Sequence, residues 1–205
     1  MKKLGLFMGL ALGSSLATAI ETPQYEVELV EDAYEVRRYA PYLVAETQVQ
    51  AAFDEAGNRG FRRLADYIFG QNKSQTKIAM TAPVGQTSES EKIAMTAPVG
   101  LQGKGSSFSI TFSMPKAYTR ETLPLPIDPQ VQIREVAAHR AAALRYSGTW
   151  SEERYAKKCE ELRSWMQKQQ LEPEGDPLFA RYNPPWMPWF LRHNEVIWRI
   201  KDQKN

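Results

Sequence analysis

The sequence predicts an α+β fold in which antiparallel strands form a distorted barrel beside two helices. The first observation is that strand-like, helix-like and strand-like segments follow one another in the same order on both sides of a connector at 115–129, which contains four prolines. The second is that each half has one helical segment, too few to cover a parallel sheet. We therefore predict antiparallel pairing and two similar halves, at about 20–114 and 130–205.

The first 19 residues are predicted to be a signal peptide. Lys2 and Lys3 give it a basic start, an apolar run extends from Leu4 to Leu16, and Ala17-Thr18-Ala19 is a small-x-small cleavage site. The apolar run is too short to span a membrane. We therefore expect a mature chain that begins at Ile20, is periplasmic or secreted, and has no stable membrane span.

Charge and cysteine content narrow the classes of function and of fold. Removing the two lysines of the leader from the 26 basic residues leaves 24, which equals the 24 acidic residues. Nucleic-acid-binding domains usually carry a basic stripe, so no nucleic-acid partner is expected. The single cysteine, Cys159, has no partner for an internal disulfide, so the apolar core must hold the fold together. Nothing in the sequence indicates an oligomeric state.

The first half is predicted to contain several strands and one helix. Apolar residues at helical spacing predict a helix from Phe53 to Phe69, with Gly70 as its C-terminal stop. Alternating or β-branched segments predict strands at 25–30, 34–39, 43–49 and 108–114.

A nine-residue sequence occurs twice, at 77–85 and 92–100. In each copy, alternation places Met80 or Met95 on an apolar face with its isoleucine and valine, so we predict two strands joined by the polar segment 86–91. Proline lacks an N–H for a strand ladder, so each copy should end or bulge at its proline. The two methionines are interpreted as core residues or, alternatively, as the lining of a ligand cavity.

The second half repeats the order of the first. Ser151 is a predicted helix N-cap, and the helix after it has an apolar face that includes Cys159 as a buried small hydrophobe. Strands are predicted at 131–136, 141–146, 178–182 and 196–200.

The chain also resembles the SOUL/haem-binding protein family. Collinear segments carry the resemblance: Tyr34–Tyr39, Gly60–Leu64, both copies of Ile-Ala-Met-Thr-Ala-Pro-Val, Met114–Thr119, Thr122–Pro124, Tyr146–Trp150, Tyr182–Trp186 and Asn194–Val196. The resemblance implies a distorted antiparallel barrel flanked by two helices and built from two similar halves. It also implies non-covalent binding of haem or another tetrapyrrole in an apolar groove.

The residues that would form such a groove are predicted on the first helix and on an aromatic loop. The loop is interpreted either as a rim that contacts the ligand or as a lid over the barrel. Basic residues of the helix region (Arg59, Arg62, Arg63, Lys73 and Lys77) either pair with haem propionates or form a solvated helix face. The groove candidates are Phe61, Leu64 and Ile68 with Trp186, Trp189 and Phe190.

Haem iron accepts histidine, cysteine, methionine or tyrosine ligands, and the chain has two histidines. His139 is interpreted as a solvated turn residue between two strands. His193 is the better candidate for contact with the cofactor, although a strand-start histidine at the surface is the alternative. No metal site of protein ligands is predicted.

The sequence therefore predicts an exported carrier or scavenger of haem or a related tetrapyrrole. One alternative is a binding module for another apolar ligand, such as a lipid or isoprenoid. An enzyme that acts on a tetrapyrrole is the alternative of another class, but no catalytic triad, phosphate loop or paired pocket carboxylates are visible in the sequence. We therefore predict that the protein is not an enzyme.

Overall fold

The computed structural model describes residues 20–75 and 90–202. The first half contains β1 (Tyr25–Glu31), β2 (Tyr34–Tyr39), β3 (Tyr42–Gln50), α1 (Phe53–Ile68), the short β4 (Asn72–Lys73), β5 (Val99–Lys104) and β6 (Ser107–Ser113). The second half contains the short β7 (Leu125–Pro126), β8 (Val131–Val136), β9 (His139–Tyr146), α2 (Glu152–Lys168), β10 (Leu178–Arg181), a 3-10 turn at Trp189–Leu191 and β11 (Asn194–Ile200).

Nine of these strands form one antiparallel sheet in the order β1-β2-β9-β11-β10-β5-β6-β3-β8. Helix α1 packs on β3 and β6, and α2 packs on β9 and β11. Strands β1 and β8 are the edges, so the sheet curls into a half-barrel without closing. The predicted α+β class with a barrel-like antiparallel sheet and two helices is confirmed. Within the described ranges, no helix is both long enough and apolar enough to cross a membrane.

The strand order is symmetric. From β2 to β8 the order is β2-β9-β11-β10-β5-β6-β3-β8. Each strand of the first half has a counterpart in the second: β2 and β8, β3 and β9, β5 and β10, and β6 and β11. Exchanging every strand for its counterpart gives the same order read from the other end. Each exchanged set has its helix after the second strand, and β5 pairs with β10 at the centre of the sheet. This topology accounts for the repeated order of segments in the sequence. The boundaries of the two halves stay a prediction.

The main core lies between the two helices and one face of the sheet. Helix α1 contributes Leu64, α2 contributes Leu162, and β10 contributes Phe179, and all three side chains are fully buried. Ser151 caps α2, because its side chain accepts a hydrogen bond from the N–H of Arg154. Cys159 is buried in this core as predicted, and burial raises the pKa of its thiol to about 11.

The second copy of the nine-residue repeat is not the predicted strand. Residues 92–98 form an irregular segment, and β5 begins only at Val99. The backbone N–H groups of Ile93 and Ala97 donate to the carbonyls of Ile68 and Glu21, which lie outside the sheet. These hydrogen bonds, and the missing N–H of Pro98, prevent the segment from pairing as a strand. The alternation of its residues therefore does not place them on two faces of the sheet.

This correction changes the interpretation of the methionine in the second copy. Ile93 is buried, but Met95 is 41% exposed, so the interpretation of Met95 as a core residue is wrong. Its contact with a ligand stays a prediction. The first copy of the repeat, with Met80 and Lys77, lies outside the described residues.

Within residues 20–75 and 90–202, no helix packs on the opposite face of the sheet, which we call the helix-free face. Small side chains on this face, Ala141, Ala143 and Ala180, pack with Tyr39 and Ile197 in a second, smaller apolar cluster. Alternation along the strands places these residues opposite the side chains that fill the main core. The small side chains leave space above the sheet, and the candidate site lies there.

Candidate functional site

A cavity of about 260 Å³ opens on the helix-free face of the sheet. Its walls include the rings of Tyr25, Tyr39, Tyr42 and Tyr182 and both histidines of the chain. A wider cavity of about 870 Å³ adjoins it and shares five lining residues with it. Small-molecule sites in proteins usually measure about 300–1,000 Å³ and are largely apolar. The two cavities together are large enough for such a ligand.

A buried ion pair lies at the base of the cavity. Glu195 on β11 is 2% exposed and receives two hydrogen bonds from Arg37 on β2, at 2.7 and 2.8 Å. The hydroxyl of Tyr182 donates to the same carboxylate at 2.7 Å. Nε2 of His193 lies 2.8 Å from it, and Glu35 accepts a further hydrogen bond from Arg37 at 2.6 Å. The opposite charges and the hydrogen bonds offset the free-energy cost of removing the two charged groups from water.

These contacts shift the ionisation of the groups in the pair. Burial alone would raise the pKa of the Glu195 carboxyl, but hydrogen bonds from Arg37 and His193 and the charge of Arg37 lower it to about 2. Burial and the neighbouring Glu195 charge raise the pKa of Tyr182 well above its ordinary value. The carboxylate and the guanidinium are therefore both charged at neutral pH, and the phenol is not ionised.

His193 lies in the cavity wall, and its ring is engaged by the protein. Its ring stacks on Tyr182, with the centroids 4.1 Å apart and the planes 4° from parallel. Its Nε2 contacts Glu195, and its backbone N–H donates to the side chain of Asn183. Its contact with a ligand stays a prediction.

His139 is not the solvated turn residue that the sequence predicted. It is the first residue of β9, is partly buried, and lines both cavities. Its ring stacks on Tyr39 at 5.0 Å, and its Nδ1 lies 2.9 Å from the carbonyl oxygen of Ala137. Burial lowers the pKa of its imidazole. The predicted link at 137–140 is shorter in the structure, because β9 begins at His139, and this end of β9 lines the cavity on the helix-free face.

The predicted groove between α1 and the aromatic loop does not form. Leu64 and Ile68 are almost fully buried in the main core, and Phe61 packs on Phe112 with ring centroids 5.4 Å apart. The apolar stripe of α1 that suggested a ligand surface therefore faces the sheet. A ligand reaches Leu64 and Ile68 only if α1 leaves the sheet, whereas Phe61 is partly exposed.

The aromatic loop is not a lid over a core. Trp186 is 81% exposed, and Trp189 and Phe190 are 57% and 58% exposed. The loop is held by backbone contacts such as the N–H of Gly148 with the carbonyl of Trp189 at 3.0 Å. None of the three aromatic residues lines the cavity on the helix-free face. Their contact with a ligand stays a prediction.

The basic residues of α1 also lie away from this cavity. Arg59 pairs with Glu55, and Arg63 contacts Thr47. The interpretation as a solvated helix face fits Arg59, which is 52% exposed, whereas Arg63 is 26% exposed and also pairs with Asp128. The rim of the cavity instead carries Arg199, which sequence reasoning missed. Its guanidinium has no ion pair or hydrogen bond within the described part of the chain.

The sequence of this chain is similar to those of known proteins. The sequence model described as "SOUL heme-binding protein" matches residues 20–199. The chain belongs to this family. Heme-binding protein 1 of Xenopus laevis is 28% identical over 171 residues, which cover 83% of this chain and 84% of that protein. Human Heme-binding protein 2 is 40% identical over 81 residues, but the match spans only 36% of this chain and 38% of that protein.

Solved structures confirm the fold of this SOUL domain. The C-terminal domain of EcmrR matches with a TM-score of 0.59 at 8% identity, over 87% of this chain and 99% of that domain. A protein from Listeria innocua titled a hydrolase matches with a TM-score of 0.56 at 10% identity, over 85% of this chain and 94% of that one. At such low identity these likenesses concern the fold alone.

Proposed function

We propose that this SOUL domain binds haem or a related tetrapyrrole, without a covalent bond, in the cavity on the helix-free face. The observation that carries the proposal is the cavity itself, which combines tyrosine rings and imidazoles on one open, otherwise helix-free surface. Flat aromatic walls suit a planar apolar ligand, which gains contact area by stacking. The family and its relative Heme-binding protein 1 of Xenopus laevis support a haem ligand.

The residues present fit the chemical groups of haem. Its iron takes histidine or tyrosine ligands, and both residue types line the cavity. Its propionates are anionic, and the exposed guanidinium of Arg199 at the rim is available for a charge-assisted hydrogen bond. The inner cavity is small, so we expect part of the macrocycle to extend into the wider adjoining cavity.

The geometry favours binding over catalysis. Glu195 is the buried carboxylate of the cavity, and both of its oxygens already accept hydrogen bonds or contact partners within the protein. A general base must be free to take a proton from a substrate. Because Glu195 has a pKa of about 2 and a full set of partners, it does not meet this condition.

Filling the cavity is expected to weaken binding. Leu178 lines the cavity, and Leu178→Trp should lower the affinity for protoporphyrin at least about tenfold, equivalent to a loss of about 1.4 kcal/mol, because the indole occupies the space of the ligand. Titration followed by tryptophan and porphyrin fluorescence measures this. Leu191→Trp is the matched control, since Leu191 is 61% exposed and lies outside the cavity. Equal affinities in the two variants contradict the placement of the site.

Binding of a different apolar ligand is the competing function. Competition of a fluorescent fatty acid and of an isoprenoid with protoporphyrin separates the two hypotheses. We expect the tetrapyrrole to displace both, because the wall carries several aromatic rings on which a planar ligand can stack. Tight binding of the fatty acid or isoprenoid with no binding of porphyrin replaces the proposal with a lipid carrier.

We also propose that the protein is exported and acts as a carrier or scavenger. The basic start, apolar run and small-x-small site of residues 1–19 support this proposal. N-terminal sequencing of the protein purified from its host is expected to give Ile20 as the first residue. An intact Met1 on cytoplasmic protein contradicts export but leaves the binding site unaffected.

A further inference from the structure

We propose that His139 binds the iron of haem through its Nε2 atom. This inference rests on the proposed function and adds to it a specific axial ligand, which distinguishes iron porphyrin from metal-free porphyrin. His139 is one of five residues that line both adjoining cavities, so it lies where the two cavities meet. A macrocycle that extends from the inner to the wider cavity passes this ring.

The hydrogen bond of His139 fixes which nitrogen is available. Nδ1 lies 2.9 Å from the carbonyl oxygen of Ala137, and a carbonyl oxygen only accepts hydrogen bonds. Nδ1 must therefore carry the proton, which leaves the lone pair of Nε2 free in the neutral ring. Histidine ligands of metals commonly donate their other N–H to a backbone carbonyl or carboxylate in this way. Among the described residues, Nε2 has no hydrogen-bond partner.

The surroundings also hold the ring in place and keep it neutral. The ring stacks on Tyr39 with an angle of 12° between the planes, and Tyr42 packs against it at 6.3 Å. The hydroxyl of Tyr39 in turn accepts a hydrogen bond from Arg37 at 3.1 Å. Burial and the charge of Arg199 lower the pKa of the imidazole, whereas Glu174 and the Ala137 carbonyl oppose this effect. A neutral imidazole is the form that binds metal.

The other potential donors near the cavity are less suitable. Nε2 of His193 is already in contact with the buried Glu195, so its coordination of iron would leave a carboxylate oxygen without that partner. Burial raises the pKa of the four cavity tyrosines, which disfavours the phenolate that binds iron; they are Tyr25, Tyr39, Tyr42 and Tyr182. Tyr39 and Tyr182 are also hydrogen-bonded. Cys159 lies in the main core on the other face of the sheet.

The test compares His139→Ala and His139→Gln with His193→Ala, using the full mature chain, ferric haemin and metal-free protoporphyrin. We expect the wild-type ferric complex to give the Soret band and electron paramagnetic resonance spectrum of a histidine-ligated haem. Both His139 variants should lose that signature and at least about tenfold in haemin affinity, as loss of a metal ligand or its support typically causes. Their affinity for metal-free porphyrin should stay within about threefold, well under the 1.4 kcal/mol of a tenfold change.

Two further measurements make the result decisive. Imidazole added to the His139→Ala complex should restore the wild-type spectrum, because it fills the space of the deleted ring and binds the iron. His193→Ala should keep the spectrum of a histidine-ligated haem even where its haemin affinity falls, because His193 lines the cavity but is not the proposed ligand. If the His139 variants keep the wild-type spectrum, His139 is not the ligand, and the proposed cavity site stands. If the wild-type protein binds neither haemin nor porphyrin, the proposed function itself fails, and the ligand assignment fails with it.

Discussion

Replacing Arg37 with alanine is expected to lower the free energy of unfolding by about 3–5 kcal/mol. The substitution leaves the carboxylate of Glu195, which is 2% exposed, without its two hydrogen bonds from the guanidinium. Tyr182 and His193 still contact the carboxylate, but neither side chain carries a permanent positive charge. Urea denaturation followed by circular dichroism measures the change, with the midpoint as the primary observable.

The neighbouring Arg38 provides a matched control. Its side chain is 55% exposed and pairs with Glu28 on the surface, at 2.6 Å. Exposed ion pairs contribute about 0–1 kcal/mol, so Arg38→Ala should change the unfolding free energy by no more than that amount. Similar losses in the two variants would show that Arg37 and Glu195 are not a buried pair.

The pH dependence of this effect has a defined sign. The Glu195 carboxyl has a lowered pKa of about 2 in the folded protein, against an ordinary value of 4.5. A lowered carboxyl pKa stabilises the folded state above the ordinary pKa, and this stabilisation is lost as the pH falls through the folded value. The stability difference between wild type and Arg37→Ala should therefore narrow as the pH falls from about 5 to about 2. A difference that stays constant over this window contradicts the assignment.

Replacing Leu64 with alanine is expected to cost about 2–5 kcal/mol of unfolding free energy while leaving tetrapyrrole affinity unchanged. Leu64 is 0% exposed between α1 and the sheet, so its deletion removes apolar contacts and leaves a cavity in the core. The proposed ligand site lies on the other face of the sheet. Thermal or urea unfolding gives the stability, and porphyrin titration of the folded variant gives the affinity.

The aromatic loop gives the control for this second prediction. Trp186 is 81% exposed, so Trp186→Ala should change the unfolding free energy by no more than about 0.5 kcal/mol. A loss of about 3–5 kcal/mol would restore the interpretation of the loop as a core lid. A loss of tetrapyrrole affinity in both Leu64→Ala and Trp186→Ala, without loss of fold, would restore the groove between α1 and the loop.

Local periodicity predicted most of the secondary structure. The predicted strand at 34–39 coincides with β2, and the predicted helix from Phe53 ends within one residue of the end of α1. Ser151 was recognised as a cap because its side chain acts on the N–H of Arg154, three residues away. Such signals depend on neighbours along the chain, which the sequence displays directly.

The repeat shows where local periodicity fails. Residues 92–98 alternate like a strand, but their backbone groups bond to Ile68 and Glu21 rather than to a neighbouring strand. Met95 consequently faces solvent although the pattern placed it in an apolar face. A strand requires a partner with free backbone groups at the right distance, and the sequence of one segment does not contain that information.

The candidate site depends even more on tertiary structure. Arg37 and Glu195 are 158 residues apart, and they meet because β2 and β11 both pair with β9. Arg37 lies inside the strand predicted at 34–39, next to the core-facing Val36, and this alternation is a sequence signal of a polar group on the second face. Glu195 precedes the strand predicted at 196–200, so no such signal marks it in the sequence. No periodicity indicates which of the charged residues on different strands form a pair.

By itself, the sequence determined the α+β class, the positions of the two helices and most strands, and the family resemblance, because these follow from local spacing and from motifs contiguous in the chain. Only the tertiary structure decided which apolar surface is core and which is cavity. Both helices pack on one face of the half-barrel, so Leu64 and Ile68 are buried there, whereas His139 and Glu195 face the uncovered side. The apolar residues on one face of a helix have the same spacing whether they pack on a sheet or contact a ligand. Only the tertiary structure shows which of the two they contact.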